Sequence, residues 1–211
     1  MVGSLMLNTV ALVLLFPLIG TIINGLIGKN LRKETVGCIA CGAVGLSFLV
    51  SIVVFFGLLR LSPDARLFEK TLFSWIESGS FKSAFALQVD PLSSLMILIV
   101  TGVGFLIHIY SIGYMHDDKG YHRYFCYMNL FTFSMLLLVL SNNFLLMFIG
   151  WEAVGLCSYL LIGFWFEKKS ASNAAKKAFV VNRIGDFGFA LGIMLIFLTF
   201  HTIDFTGVFS S

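Results

Sequence analysis

Charged residues are scarce in this sequence: Asp, Glu, Lys and Arg make up only 12% of its 211 residues. A soluble domain carries about 25% charged residues, so the composition excludes an ordinary soluble protein. The long apolar stretches also lack the alternation of apolar and polar residues that a transmembrane barrel requires. Because 58% of the residues are hydrophobic, an integral membrane protein built from helices is the class that remains.

The catalytic motifs of soluble enzymes are also missing. There is no G-x-S-x-G, H-E-x-x-H or P-loop pattern, so hydrolysis and phosphoryl transfer lack their usual residues. The glycine strings GLIG, GAVG and TGVG lie in or beside apolar stretches, where they favour close helix packing and not a dinucleotide site. Cys38 and Cys41 form a C-x-x-C without a second ligand pair, and we expect buried thiols and no metal site. The chemistry that remains is movement of a proton or ion through the membrane.

The apolar stretches are each long enough to cross a bilayer, which takes about 20 residues. We therefore predict an all-α polytopic bundle of about six transmembrane helices. Its parts are an amino-terminal helix pair at 1–60, an external loop at 61–90, and helices three to six within 91–211. The ESGS turn in that loop predicts a hairpin over the membrane surface. No basic residue or cleavage pattern marks the first stretch as a secretion signal, so we expect it to be retained. The stretches are 5–27, 35–60, 91–113, 123–140, 143–165 and 178–200.

Basic residues collect in alternate loops, and this asymmetry predicts the orientation. We expect the richer set to face the cytoplasm or an organelle matrix, with both ends of the chain on the opposite, electrochemically positive side. Their dispersal among membrane loops argues against nucleic-acid binding. The richer set is Lys29, Arg32, Lys33, Lys119, Arg123, Lys168, Lys169, Lys176 and Lys177, and the poorer set is Arg60, Arg66, Lys70 and Lys82.

An acidic residue, Glu152, interrupts the apolar string LMFIGWEAVGLCSYLLIGFWF (146–166) near mid-depth. An acid at the centre of a spanning helix costs about 2.5–3.5 kcal/mol on insertion scales, so such residues are functional candidates. Gly155 and Tyr159 share its helical face, which favours packing against other helices or water. A structural glutamate, protonated or bonded to a neighbouring helix, is the alternative.

A second acid lies in the sixth stretch, KKAFVVNRIGDFGFALG (176–192). Arg183 and Asp186 are three residues apart and can pair on one helical face. Lys176 and Lys177 precede them on the basic side, so the order fits an entry path for protons. A cluster of basic side chains that only anchors the helix end is equally consistent with this order.

A histidine in the third stretch, His108, is a further candidate proton relay, because imidazole titrates near pH 6.5. A packed histidine bonded to a backbone carbonyl is an equal alternative. His116 and His122 flank the short loop HDDKGYH (116–122), where we expect a solvated turn and no metal.

Four strings carry a family resemblance. They are DPLSSLM (90–96), VTGVGFLIHIYSIGYM (100–115), NLFTFSMLLLVLSNNFLLMFIGWEAVGLCSYLLIGFW (129–165) and KKAFVVNRIGDFGFALG (176–192). They resemble the fifth-subunit, or L-subunit, family of the proton-pumping NADH:quinone oxidoreductase, respiratory complex I. The first two helices fit the family's usual amino-terminal pair.

The resemblance implies an antiporter-like subunit in the distal membrane arm of an enzyme complex. Such a subunit moves protons while other subunits hold NADH, FMN, iron–sulfur clusters and quinone, so no cofactor is expected on this chain. Its implied partners are neighbouring membrane-arm subunits and the lipid bilayer. The implied location is a bacterial inner membrane or, as an alternative, the mitochondrial inner membrane.

The resemblance also implies roles for individual residues. Glu152 matches the family's essential glutamate, which tunes the proton affinity of a partner lysine. Asp186 matches a further functional acid, and Lys177 and Arg183 match basic positions of the same string. Asp90 matches the start of the third helix, where a structural role is implied.

Members of this family run to more than twice the present length, so the chain is expected to be a fragment or a truncated product. A subunit of a multisubunit Mrp-type Na⁺/H⁺ antiporter shares the architecture and stays an alternative. A non-conducting element that only docks to other membrane subunits is the third possibility.

Overall fold

The computed structural model describes residues 2–79 and 81–210, which are mostly helical. Within this part of the chain, six helices are long and apolar enough to cross a membrane, and this confirms the predicted helical membrane bundle. The strands β1 and β2 are Phe68–Ser78 and Phe81–Val89, and a short helix α7 is Phe205–Phe209. The helices α1 to α6 are Val2–Leu26, Lys33–Leu59, Pro91–Tyr114, Tyr121–Leu140, Phe144–Ile162 and Lys169–Phe200.

Local side-chain bonds explain where two of the helices begin. Asp90 caps α3: its Oδ1 accepts the Ser93 N–H at 2.6 Å, and the Ser93 hydroxyl accepts the Asp90 N–H at 2.8 Å. Asn143 caps α5 by accepting the Leu146 N–H at 2.8 Å. Helix α6 begins at Lys169, well before the apolar stretch at 178. Its first turns are polar but rich in alanine and lysine, so helix propensity and not apolarity sets this boundary.

The first four helices form the packed centre of the bundle. Helix α1 contacts α2 and α4, and α3 contacts α2 and α4, while α5 packs on α4 and α6 packs on α5. Small residues bring α2 and α3 together, because a Cβ on Gly45 would lie 2.9 Å from the Phe105 ring and one on Gly102 would lie 2.8 Å from the Phe48 ring. Gly45 of GAVG and Gly102 of TGVG therefore serve close helix packing, as predicted, whereas a Cβ on Gly42 would meet no atom within 4 Å.

The loop between α2 and α3 holds an antiparallel hairpin that pairs Phe68 with Val89 and Ser78 with Phe81. Its turn contains Gly79, whose φ of 59° lies in the left-handed region that favours glycine. The hairpin rests on the connection between α4 and α5: the Asn142 N–H donates to the Ala86 carbonyl at 3.3 Å. The segment after α6 joins the same connection, since the Phe205 N–H donates to the Asn142 carbonyl at 3.0 Å.

Helix α6 lies at one edge of the described bundle and leaves many large apolar side chains exposed. In water such a surface would be unfavourable, whereas lipid or further protein can cover it within a membrane. The most exposed of these side chains are Val180, Val181, Ile184, Phe187, Met194, Leu195 and Leu198.

Candidate functional site: charged residues between α5 and α6

Two adjacent residues of α5 face two residues of α6 that are one turn apart. Trp151 contacts Asp186 and Glu152 contacts Arg183, so the residue numbers rise on one helix as they fall on the other. This pattern is that of antiparallel neighbours. Glu152 of α5 and the predicted pair on α6, Arg183 and Asp186, therefore form one group of side chains.

Glu152 and Arg183 form an ion pair between Glu152 Oε2 and Arg183 Nη1. The Glu152 side chain is 22% exposed and that of Arg183 is 39% exposed, so the pair lies on the more open side of the α5–α6 interface. The guanidinium also lies over the Phe179 ring, with Cζ 4.6 Å from the ring centroid. A neighbouring helix thus supplies the bonding partner of Glu152, and this partner is charged.

Asp186 is the more buried acid of the group, with its side chain 8% exposed. Its Oδ2 lies 3.7 Å from Arg183 Nε, and its Oδ1 accepts a hydrogen bond of 2.8 Å from the Trp151 indole. Trp151 was not predicted from the sequence. The available signal was its indole N–H inside an apolar helix, because such a donor needs an acceptor when it is buried.

The arrangement places two carboxylates around one guanidinium. Arginine stays protonated in proteins, so Arg183 acts as a fixed positive charge. Glu152 and Asp186 are the members that can bind or release a proton. With both acids ionised the group carries one net negative charge, which is costly in a medium of low dielectric constant. A proton on either acid removes that charge.

Tyr159 follows Glu152 along the inner face of α5, as the helical spacing predicted. Its ring packs against Phe179 of α6 with 5.3 Å between centroids. Gly155, between them, has no atom within 4 Å of a built Cβ. The face therefore contacts α6 at its two ends and is open at Gly155.

The structure leaves Lys177 apart from this group. It lies six positions before Arg183, which is a rotation of about 240° around the helix and a rise of about 9 Å. Both Lys176 and Lys177 are exposed near the start of α6. Within the described residues neither lysine pairs with an acid of the site.

His108 lies in another part of the bundle. It is fully buried on α3, and its Nδ1 is 2.7 Å from the Gly104 carbonyl oxygen. The ring lies near Phe125 of α4, whereas the acids lie on α5 and α6. His108 therefore lies outside the group formed by Glu152, Arg183 and Asp186.

Side chains that could hold a metal do not gather in the described part of the chain, where no group of three or more His, Cys, Asp and Glu residues is found. The four cysteines are free thiols; Cys41 is buried as expected, whereas the expectation of a buried Cys38 is wrong, because this residue lies on an exposed side of α2. His116 pairs with Asp117 at 3.0 Å in the loop between α3 and α4.

Two family models match this chain. Residues 75–125 match the amino-terminal region of complex I chain 5, described as NADH-ubiquinone oxidoreductase. Residues 141–211 match the transmembrane region shared by NADH:quinone oxidoreductase and the Mrp antiporter. The chain belongs to the antiporter-like chain 5, or subunit L, family of complex I.

Curated relatives agree with this membership. NADH-quinone oxidoreductase subunit L of Rickettsia conorii is 44% identical over 97% of this chain. The subunits L of Neisseria meningitidis and Mycobacterium tuberculosis are 45% and 48% identical over 90% and 82% of it. The chain spans 31%, 28% and 27% of the length of these three relatives. It is thus a multi-pass membrane protein that matches the amino-terminal portion of bacterial subunits.

A solved structure shares the fold. The Mrp complex from Dietzia sp. superposes with a TM-score of 0.77 at 22% identity, over 95% of this chain and 20% of that one. At this identity the likeness describes the helical architecture and not the transported ion.

Proposed function

We propose that this chain forms the first part of a proton-translocating membrane-arm subunit of an NADH:quinone oxidoreductase, with Glu152, Arg183 and Asp186 in the proton path. The observation that carries the proposal is the group of two acids around one guanidinium on helices that span the membrane. Ionisable residues at this depth mark proton or ion pathways in membrane proteins. The relatives named subunit L support the choice of complex.

The mechanism follows from the fixed charge of Arg183. When Glu152 binds a proton its attraction for the guanidinium weakens, and Arg183 can then move toward Asp186. Loss of the proton reverses the preference, so protonation and guanidinium position are coupled. Charge rearrangement driven by quinone reduction in other subunits would alternate the two states.

Residues outside the group of Glu152, Arg183 and Asp186 have secondary roles in the proposed proton path. Lys176 and Lys177 stand at the basic end of α6, where the path would open, and His108 would act only as a more remote relay. NADH, FMN, iron–sulfur clusters and quinone would be held by other subunits. The partners would be further membrane-arm subunits in a bacterial inner membrane.

The test is Glu152→Gln in the full-length subunit assembled in its complex. Glu167→Gln is the matched control, because Glu167 is exposed in the connection between α5 and α6. We expect Glu152→Gln to keep NADH oxidation measurable while the protons moved per NADH fall at least about twofold, because the amide keeps the shape of the side chain but cannot hold the charge of an ion pair. An unchanged proton yield in Glu152→Gln would exclude the proposed role.

The second candidate is a subunit of an Mrp-type Na⁺/H⁺ antiporter, which the shared fold favours. Such a protein exchanges sodium for protons without an electron donor. Purification of the tagged protein from its native membrane separates the two. Copurifying flavin, iron–sulfur centres and NADH:quinone activity would support the first proposal, and sodium-driven proton exchange without them would support the second. Absence of both activities would point to a docking element.

A further inference from the structure

The Trp151 indole is the one neutral side chain bonded to the acids of the site among the described residues. Its Nε1–H donates to Asp186 Oδ1 over 2.8 Å, while Arg183 Nε lies 3.7 Å from the other oxygen, Oδ2. We propose that Trp151 is a positioning residue for proton transfer at Asp186. The inference rests on the proposed function, since it assigns a role within the same site.

The chemistry of indole gives this bond a direction. Nε1–H can donate a hydrogen bond but has no lone pair with which to accept one. A bond of this kind stabilises an ionised carboxylate more than a protonated acid. Trp151 therefore occupies Oδ1 and leaves Oδ2 to face Arg183. The proton enters at Oδ2, on the side of Arg183.

Packing fixes the indole in this position. The Trp151 ring meets Phe189 of α6 at 6.3 Å between centroids, and Phe189 in turn meets Phe148 of α5 at 5.4 Å. Trp151 is 50% exposed whereas Asp186 is 6% exposed, so the indole covers the acid on the open side of the helix pair. The Trp151 side chain thus both donates a hydrogen bond to Asp186 and covers it.

The hydrogen bond from Trp151 affects how the Arg183 guanidinium divides its contacts between Glu152 and Asp186. Glu152 has the guanidinium as its bonding partner, whereas Asp186 has the indole as well. Asp186 thus tolerates departure of the guanidinium better than Glu152 does. Trp151 therefore keeps the Asp186 carboxyl in place while the guanidinium moves between the two acids.

The chain offers a matched control outside the spanning helices. Trp165 donates from Nε1 to Asp118 Oδ2 over the same 2.8 Å, and both residues lie in exposed connections at one end of the bundle. Trp151→Phe and Trp165→Phe each remove one indole donor from one aspartate and keep an aromatic ring. They differ in which acid loses the bond.

The first measurement is the frequency of the infrared C=O stretch of the protonated Asp186 carboxyl, recorded on the full-length subunit in its complex. The band is assigned by its loss in Asp186→Asn. We expect Trp151→Phe to move this band to higher frequency, because the carboxyl oxygen loses the indole donor, and Trp165→Phe to leave it unchanged. Glu152 and Arg183 are the charged groups that face Asp186, and both are kept. An unshifted band in Trp151→Phe would overturn the proposal.

The second measurement is the number of protons moved per NADH. We expect Trp151→Phe to lower it, Trp165→Phe to keep it, and Trp151→Phe combined with Asp186→Asn to be no worse than Asp186→Asn alone. Additive losses in the double variant, or a normal yield in Trp151→Phe, would overturn the positioning role. The infrared shift needs no turnover, so its absence is distinct from a normal yield in Glu152→Gln, which would overturn the proposed function itself.

If Trp151→Phe does not assemble into the complex, a third measurement still tests the bond between Trp151 and Asp186. In Asp186→Leu the indole loses its acceptor, and the hydrogen-bond marker of Trp151 in ultraviolet resonance Raman spectra should move toward that of a free indole. The band is assigned by difference from Trp151→Phe or, if this fails to assemble, from Trp151→Tyr. An unmoved marker would contradict the bond on which the proposal depends.

Discussion

Arg183 shows how much of the site depends on contacts between helices. Its spacing from Asp186 is visible in the sequence, because residues three apart share a helical face. Its ion pair with Glu152 joins α5 to α6, and the sequence does not specify how two apolar helices are rotated against each other. The two acids could therefore be predicted one at a time from the sequence, whereas their shared contact with Arg183 and the hydrogen bond from Trp151 were visible only in the structure.

Asp118 gives a pH-dependent prediction at the scale of one residue. The hydrogen bond from Trp165 lowers the pKa of the Asp118 carboxyl, assisted by the Gly120 N–H and by the charges of Arg123 and Lys33, against a smaller rise from burial. A lowered pKa stabilises the folded state above the unfolded pKa, which is about 4, and this contribution is lost as the pH falls through the folded value. We expect Trp165→Phe to cost at most about 1 kcal/mol at pH 7, since the site is largely exposed.

The measurement is the unfolding midpoint of the detergent-solubilised protein near neutral pH and again well below the usual carboxyl range. The gap between wild type and Trp165→Phe should close at the lower pH, where Asp118 is protonated in both. A gap of constant size would assign the loss to the ring packing of Trp165, which also contacts Lys168, and not to the carboxylate.

At the scale of elements, α5 contains two glycines, Gly150 and Gly155, whose surroundings in the structure differ. A Cβ on Gly150 would lie 2.7 Å from the backbone N and Cα of Leu138, so α4 and α5 touch there. No atom lies within 4 Å of a Cβ built on Gly155. We expect Gly150→Ala to destabilise the protein by about 1–3 kcal/mol, because the backbone of α4 must move. Gly155→Ala should be neutral or slightly stabilising, since alanine favours the helix.

Thermal unfolding of the two variants in the same detergent tests this pair. Equal midpoints would mean that α4 and α5 do not approach each other closely at Gly150. Both changes add one methyl group to the same helix, so a difference between their midpoints reports the packing around each glycine.

Asn143, at the start of α5, also contacts the hairpin. It caps α5, and its Nδ2 donates to the Ala84 carbonyl of β2 at 2.9 Å. Because the side chain is fully buried, Asn143→Ala removes the cap and leaves buried backbone groups without partners. We expect a loss of about 2 kcal/mol or more in unfolding free energy. Asn173→Ala, at an exposed position of α6, is the control and should change stability little, so equal effects of both would contradict the role of the cap.

For the whole molecule, the sequence predicted the number and approximate positions of the spans because apolar length alone decides whether a helix can cross a bilayer. It did not predict the early start of α6 at Lys169, which depends on helix propensity in a polar segment. Nor did it predict that the hairpin, the connection at 141–143 and the segment after α6 pair with one another. Those contacts join residues far apart in the chain, and no local pattern specifies them.

The two ends of the bundle differ in charge, which leads to a prediction of orientation. At one end the basic loops contact each other: Lys33 Nζ donates to the His116 carbonyl at 2.5 Å, and Trp165 reaches Asp118. The hairpin, the connection at 141–143 and the segment after α6 meet at the other end. Because basic loops stay in the cytoplasm, we expect the first end to face the cytoplasm and the hairpin to face the opposite side.

Single reporter cysteines test this orientation in a full-length variant that lacks its native cysteines, which in this chain are Cys38, Cys41, Cys126 and Cys157. Lys119→Cys lies in the loop between α3 and α4, and Glu77→Cys lies beside the hairpin turn, and both positions are exposed. A membrane-impermeant thiol reagent should label Glu77→Cys in intact cells and Lys119→Cys only in inverted vesicles. The opposite pattern would reverse the topology and would place Lys176 and Lys177 on the side where protons leave. Labelling of both from one side would contradict the passage of α3 across the membrane.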